Sequence, residues 1–463
     1  MTAVTEPATL PTSADARPAP VSFLHALRFW LWLGFVSFGG PAGQIAVMHA
    51  ELVERRRWIS ERRFLHALNY CMVLPGPEAQ QLATYIGWLL HGTRGGIVAG
   101  ALFVLPSLAI LIALTWAYLR FGELPVIAGI LYGIKPAVTA IVVHAAWRIG
   151  KRALNNAALW AIAAAAFVAI FALHLPFPLI VVAAAAIGFV GGRIAPQRFR
   201  TGGGHGAARI SPQPSLIDDD TVVAHAGYRT ARLLSVLGVG LALWLSAYLA
   251  LLATLGHDNP ITTMARFFSG AALVTFGGAY AVLPYVYDSA VNQFRWLSAA
   301  QMIDGLALGE TTPGPLIMIV AFVGFVGGWQ TEALAASLGP GHLFASAALA
   351  ACVATWFTFL PSFVFILAGG PLVEATRDDL RLTAPLTGIT AAVVGVILNL
   401  ALFFAFHVLW PAGFDGRFEW PALAIGIAAA VALMRHGVSV PMLIGVCALA
   451  GLAIHIGSRA LLG

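Results

Sequence analysis

Apolar residues dominate this chain in runs near 20 residues long, separated by short polar turns. A helix of that length crosses about 30 Å of hydrocarbon. The pattern predicts full crossings near 97–119, 126–148, 156–173, 178–192, 232–254, 346–369, 385–408, 419–434 and 438–458. Two further apolar segments in each half are interrupted by glycine and proline, at Gly39-Gly40-Pro41 and Pro75-Gly76-Pro77 in the first half. These predict broken or re-entrant helices, because irregular backbone at membrane depth is tolerated only where protein buries it or water reaches it.

The interruptions recur in register. Phe38-Gly39-Gly40, Trp58 and Pro75-Gly76-Pro77 correspond to Phe276-Gly277-Gly278, Trp296 and Pro313-Gly314-Pro315, each offset by 238 residues. Leu105-Pro106-Ser107 and Gly133 correspond to Leu360-Pro361-Ser362 and Gly388 at an offset of 255, the difference being an insertion around 329–345. Chance does not hold spaced motifs in one register, so the chain is an internal duplication. The expected organisation is a disordered tail over 1–22, rich in Ala, Pro and Thr, a first repeat over 23–192, a polar, flexible linker over 193–230, and a second repeat over 231–463 led by an additional helix.

Composition agrees with a membrane protein. The chain is 59% hydrophobic and 10% charged, against roughly 25% charged in soluble domains. The net charge of +6 resides largely in short arginine clusters, which is a topology signal; no nucleic-acid-binding signature is present. Five arginines between 51 and 63 face a corresponding loop, 289–301, with Arg295 alone. Arg148, Lys151 and Arg152 face a loop near 403–407 with none, whereas 374–381 carries Arg377 and Arg381 against Arg120 alone in 120–124. Opposite bias in corresponding loops predicts inverted repeats, with 232–254 supplying the odd crossing, and a cytoplasmic linker. The fold class is therefore all-α: a polytopic membrane protein of two inverted-topology repeats with broken or re-entrant helices. Cys71, Cys352 and Cys447 are far apart and form no CxxC, so neither disulfides nor a zinc site is expected. No cofactor or metal is implied. A P-loop, HExxH and GxSxG are all missing, which argues against direct use of ATP and against membrane protease or lipase chemistry.

Inverted repeats with interrupted helices point to a secondary-transporter site. The start of a half-helix offers unpaired N–H groups and partial positive charge to an anion. The candidate substrate-binding residues are Gly39, Gly40, Gln44, Pro75, Gly76, Pro77, Gln80 and Gln81 in the first repeat, and Gly277, Gly278, Thr311, Thr312, Pro313, Gly314 and Pro315 in the second, with the amides and hydroxyls as donors. Lys135 lies within the apolar run Pro125–Trp147. A lysine at membrane depth is costly, about 2.5–3.5 kcal/mol on insertion scales, so it is read as an anion binder, with snorkelling to the interface as the plain alternative. Glu78 and Glu310 are either proton carriers or charges at the ends of broken segments. Trp58 and Trp296 are expected to anchor at the membrane interface.

Phe38-Gly39-Gly40-Pro41 with Gln44-Ile45, Leu74-Pro75-Gly76-Pro77-Glu78-Ala79-Gln80-Gln81-Leu82-Ala83, and Gly95-Gly96 leading to Leu105-Pro106 resemble the first half of chromate ion transporters. Thr275-Phe276-Gly277-Gly278-Ala279-Tyr280-Ala281-Val282-Leu283-Pro284 and Gly309-Glu310-Thr311-Thr312-Pro313-Gly314-Pro315 are similar to the second. The likeness spans about 25–410 and fits the long, bidomain form. It implies export of chromate, with sulfate as its mimic, across a bacterial inner membrane, and a non-enzymatic protein with an oxyanion and the lipid bilayer as partners. Whether one chain suffices or a homodimer forms stays open. So do an anion channel, and a membrane protein acting on a lipid or polyprenyl phosphate, which the same helix N-termini would suit.

Overall fold

The computed structural model describes residues 18–38, 40–199, 214–221, 223, 225–334, 341–375 and 383–462. Gly39, most of the tail, the Gly202-Gly203-Gly204 stretch, and Arg377 and Arg381 lie outside them. The described residues form helices joined by short turns, with no β-sheet.

The first repeat opens with α1 (Phe23–Val36), α2 (Gly40–His49), α3 (Glu61–Val73) and α4 (Glu78–Phe121). Although continuous in outline, α4 contains a non-helical joint at His91 and Gly92, the latter with φ +63°. The joint divides the second broken segment from the crossing expected at 97–119. The repeat ends with α5 (Pro125–Ala153), α6 (Ala157–Phe171) and α7 (Phe177–Ile194). After α8 (Thr230–Leu255), the second repeat follows the same plan: α9 (Pro260–Leu273), α10 (Ala279–Tyr287), α11 (Ala299–Thr311), α12 (Ile319–Gln330), α13 (Leu343–Ala375), α14 (Thr383–Leu409), α15 (Trp420–His436) and α16 (Val440–Leu462). Every expected crossing coincides with a helix. Seven of the helices are long and apolar enough to span a membrane.

Local chemistry sets the helix ends identically in both repeats. Ser60 caps α3 by accepting from the Arg63 N–H, and its counterpart Ser298 caps α11 in a full capping box with Gln301. Before these caps the chain makes a π turn, over Ala50–Arg55 and over Asp288–Gln293, and then places Arg57 and Arg295 at φ +51° and +54°. This geometry folds Trp58 and Trp296 inward. They are 4% and 2% exposed, so the expectation of interface anchors is wrong. Trp58 packs on Phe29 at 5.0 Å, and Trp296 stacks on Phe294 at 4.6 Å.

Small residues let the spanning helices approach closely, the usual solution where lipid removes the hydrophobic drive for association. The repeat-related glycines both serve this purpose. A Cβ on Gly133 would lie 1.9 Å from the Cys447 carbonyl of α16, and one on Gly388 would lie 2.4 Å from the Ala184 carbonyl of α7. Backbone cannot yield as a side chain can. Gly133→Leu is therefore expected to lower the thermal midpoint in detergent, at a cost of about 1–3 kcal/mol from overpacking. Leucine at Gly445, where nothing lies within 4 Å of an added Cβ, should leave the midpoint unchanged.

The second part of the linker is ordered against the first repeat. Leu216 and Ile217 N–H groups donate to the Arg57 and Trp58 carbonyls at 2.9 and 3.0 Å, and the Ser60 N–H returns a bond to Ile217. The buried Ile217 side chain supplies the apolar contact that a purely polar linker lacks.

Candidate functional site

The four interruptions meet. In each repeat the Pro-Gly-Pro loop reaches across to the other half. Gly76 N–H donates to the Thr275 carbonyl at 2.7 Å, and Gly314 N–H donates to the Ser37 carbonyl at 2.8 Å. Both pairs are related by the same 238-residue offset, so the contact is reciprocal, as expected of two repeats about a pseudo-two-fold axis. The glycines are required twice over. Their φ values are +124° and +106°, and added Cβ atoms would meet Ser362 Oγ at 2.3 Å and Ser107 Cβ at 2.6 Å. Ser107 and Ser362 end the two Leu-Pro-Ser motifs, so each Pro-Gly-Pro loop seats on the opposite repeat's Leu-Pro-Ser.

Around this crossing the ends of broken helices converge on one small cavity. Its walls are Pro41 and Gln44 of α2, Pro77, Glu78 and Ala79 at the start of α4, Ala279 at the start of α10, and Pro315, Leu316 and Ile317 leading into α12. Four helical starts thus face the same space. Proline and glycine explain why: each loop forces the chain out of a helix, and the next half-helix begins with N–H groups that no preceding turn can satisfy. The cavity encloses about 10 Å³, room for about one water molecule.

The sequence-derived candidates divide into three groups. Gly40, Gln44, Pro75, Gly76, Pro77, Gly277, Gly278, Pro313, Gly314 and Pro315 belong to the crossing loops or helix starts. Gln81 braces one loop from within, its Nε2 donating to the Pro75 carbonyl at 2.8 Å and to Ser362 Oγ at 3.4 Å. Gln44 Nε2 donates to the Gly314 carbonyl, and Gln80 Nε2 to Thr84 Oγ1 at 3.0 Å. The Gln44 and Gln81 amides therefore hold the loops, while the Gln80 amide bonds along its own helix. Their Oε1 atoms, with Ser37 Oγ, are buried and unbonded. Thr311 and Thr312 turn their hydroxyls back onto α11 carbonyls, and in this state they offer no donor to a ligand.

The ionisable candidates lie apart from one another. Glu78 lines the cavity, and no hydrogen bond or ion pair satisfies its carboxylate among the described residues. Glu310 is buried and accepts the Tyr280 hydroxyl at 2.5 Å. Lys135 is not in the cavity wall. Its Nζ lies 3.4 Å from Asp304 Oδ2, so the cation read from sequence as an anion binder is held by a carboxylate. Asp304, Tyr280, Ser107 and Ser362 were not singled out as site residues. The serines carried a signal, since both fall in the register-matched motifs; Asp304 and Tyr280 have no such mark, their counterparts being His66 and Ala42. Arg55 and Arg56 pair with buried Glu51 at 2.5 and 3.1 Å, which reduces the charge they offer to a passing anion. Among the described residues no cluster of His, Cys, Asp and Glu is placed to hold a metal ion.

A multi-pass helical protein whose two halves bring broken helix ends together through reciprocal contacts has the architecture of a membrane transporter. The chain belongs to the Chromate transporter family, which matches residues 24–189 and 262–452, one segment in each repeat. It is 33% identical over 391 residues to a chromate transport protein of Pseudomonas aeruginosa, covering 83% of this chain and 82% of that one. It is 27% identical over 462 residues to a chromate transport protein of Cupriavidus metallidurans, covering 97% and 98%. A shorter, uncharacterised transporter of Bacillus subtilis matches 129 residues at 31% identity, 27% of this chain and 72% of its own. No solved structure matches.

Proposed function

We propose that this protein is a secondary transporter that exports chromate, or an oxyanion like it such as sulfate, from the cytoplasm. The observation that carries the reading is the convergence of four helical starts on one cavity. Each start presents N–H groups and the positive end of a helix dipole, a combination that suits a tetrahedral oxyanion. The unbonded Gln44 oxygen belongs to a residue of the cavity wall and only accepts, so a water of hydration carried with the anion would satisfy it. At about 10 Å³ the cavity is in a closed state, so entry of an oxyanion requires the two Pro-Gly-Pro loops to part. Reciprocal hydrogen bonds of ordinary length are suited to that, since either loop can release while the other holds.

The energetics favour export. Moving one charge through 100 mV is worth about 2.3 kcal/mol, so a dianion leaving a negative interior gains about 4.6 kcal/mol. The arginine-rich 51–63 loop and the linker belong on the cytoplasmic side in this reading, by the positive-inside rule. The test is uptake of labelled chromate into everted membrane vesicles, with sulfate as competitor. Saturable uptake above that of empty membranes, driven by an interior-positive potential and reduced by excess sulfate, is expected. Uptake of neither anion would remove the oxyanion reading.

A further inference from the structure

Outside the ring of helix ends lies a buried ionic group with no equivalent in the other repeat. Lys135 corresponds to Thr390 and Asp304 to His66. Asp304 belongs to α11, about two turns before that helix ends in the Pro313-Gly314-Pro315 loop, and it is 3% exposed. Its Oδ2 accepts the Tyr118 hydroxyl at 3.0 Å and pairs with Lys135 Nζ at 3.4 Å. Its Oδ1 is buried and has no partner. A buried carboxylate is normally satisfied at both oxygens. Here the pair is loose: one carboxylate oxygen is unused, and the Lys135 side chain keeps 29% of its surface accessible.

The groups surrounding Asp304 are few. From α5 comes Lys135, and from α4 comes Tyr118. On α12, Phe322 packs against Gly305 and Tyr118 and carries no charge; the remainder of α12 and the turn Leu316–Met318 hold no titratable residue. On α14 the only titratable residue is His407, near its far end. Cys447 and His455 of α16 lie against the Gly129–Gly133 seam of α5. Asp304 is therefore balanced by one cation and one hydroxyl.

We propose that Asp304 takes up a proton when an oxyanion binds, releasing Lys135 to hold the anion, so that oxyanion and proton cross together in the same direction. This rests on the oxyanion reading above and deepens it. An ionised Asp304 repels an incoming dianion in a medium that screens little, and it occupies a cation that would otherwise add to the hold of the helix starts on the anion. Protonation removes the repulsion and leaves the Lys135 charge unopposed. The Lys135 ammonium keeps its own proton throughout; the only change is carboxylate plus proton to carboxylic acid, whose new O–H is a donor. Linkage then works both ways: whatever the proton adds to anion affinity, the anion adds to proton affinity. Groups that load together move together, which makes the protein a cotransporter rather than an exchanger of anion for proton. One proton with a divalent anion leaves one net negative charge, so the membrane potential still favours export, with half the electrical drive of the bare dianion.

Full-length protein purified in detergent provides the test. Sulfate, which is not reducible under these conditions, is titrated by calorimetry in buffers of differing ionisation heat, and the protons taken up per anion are counted. Wild type is expected to take up about one proton per sulfate at Asp304, and the count should fall by about one in Asp304→Asn. The variant should also bind sulfate with weaker dependence on pH than wild type. Sulfate bound by wild type without proton uptake overturns the proposal, and that measurement needs no variant to fold. An unchanged proton count in Asp304→Asn overturns it as well. If wild type binds neither sulfate nor chromate, the oxyanion reading itself fails, and this one with it.

Discussion

Gly76→Ala is expected to lower chromate uptake at least about tenfold while the protein still reaches the membrane, as judged by immunoblot of the same vesicles. Two independent penalties combine. The backbone at Gly76 has φ +124°, a conformation that any side chain strains by about 1–3 kcal/mol. The new Cβ would also stand 2.3 Å from Ser362 Oγ and 2.6 Å from Gln81 Nε2, so either the loop withdraws from the second repeat or both partners move. Withdrawal breaks the 2.7 Å bond to Thr275 and shifts Pro77 and Glu78 in the cavity wall. Gly314→Ala should do comparable damage, because the same two penalties, φ +106° and a Ser107 Cβ at 2.6 Å, apply at the repeat-related position.

Gly277→Ala separates the two causes. Its φ is +79°, yet nothing lies within 4 Å of the added carbon, so strain acts there alone and a smaller loss is expected. In the same way Ser362→Gly should relieve Gly76→Ala only in part, by removing the nearer clash but neither the Gln81 contact nor the strain. Uptake by Gly76→Ala equal to wild type would mean that the Pro-Gly-Pro crossing is a packing feature and not the moving part of the transporter.

The crossings and the duplication were readable because each leaves a long, redundant trace. A spanning helix is about 20 apolar residues, and a repeat keeps Phe-Gly-Gly, Trp and Pro-Gly-Pro in one register. The breaks were readable because proline and glycine act locally on the chain. What the breaks touch was not. The partners of Gly76 and Gly314 lie some 200 or more residues away in sequence, at Thr275 and Ser37, and hydrogen bonds from backbone to backbone leave no requirement on side-chain identity. The paired π turns were hidden for a related reason: Ala50–Arg55 reads AELVER and Asp288–Gln293 reads DSAVNQ, two sequences with the same backbone and little in common. Lys135 stood out because a lone lysine in an apolar run is costly, but the sequence could not show that Asp304, 169 residues away, shares the cost.

A second cross-repeat contact should matter for stability more than for transport. Arg63 of α3 and Glu374 of α13 are 6% and 7% exposed and meet at 2.6 Å. The Tyr85 hydroxyl donates to the other Glu374 oxygen at 2.6 Å, and Arg63 Nη1 donates to the Asp218 and Thr221 carbonyls of the linker at 2.9 and 2.8 Å. One guanidinium thus joins the first repeat, the second repeat and the linker. Removing one member of a buried pair costs about 3–5 kcal/mol, because the other charge is left without compensation. Glu374→Gln keeps the shape of the side chain and an acceptor for Tyr85 but removes the charge, so it should lower the thermal midpoint sharply while Arg63 still holds the linker carbonyls. The double variant Arg63→Met/Glu374→Leu removes both charges together, and burying matched apolar groups is often close to neutral. It should regain most of the lost midpoint while losing the linker's anchor, so the linker becomes cleavable by limited proteolysis where the single variant still protects it. If the single variant keeps the wild-type midpoint and the double variant does not, the bonds to the linker carbonyls rather than the ion pair hold the halves together. In that case Asp218 and Thr221, which reach Arg63 through their backbone alone, would make the linker a structural member of the transporter.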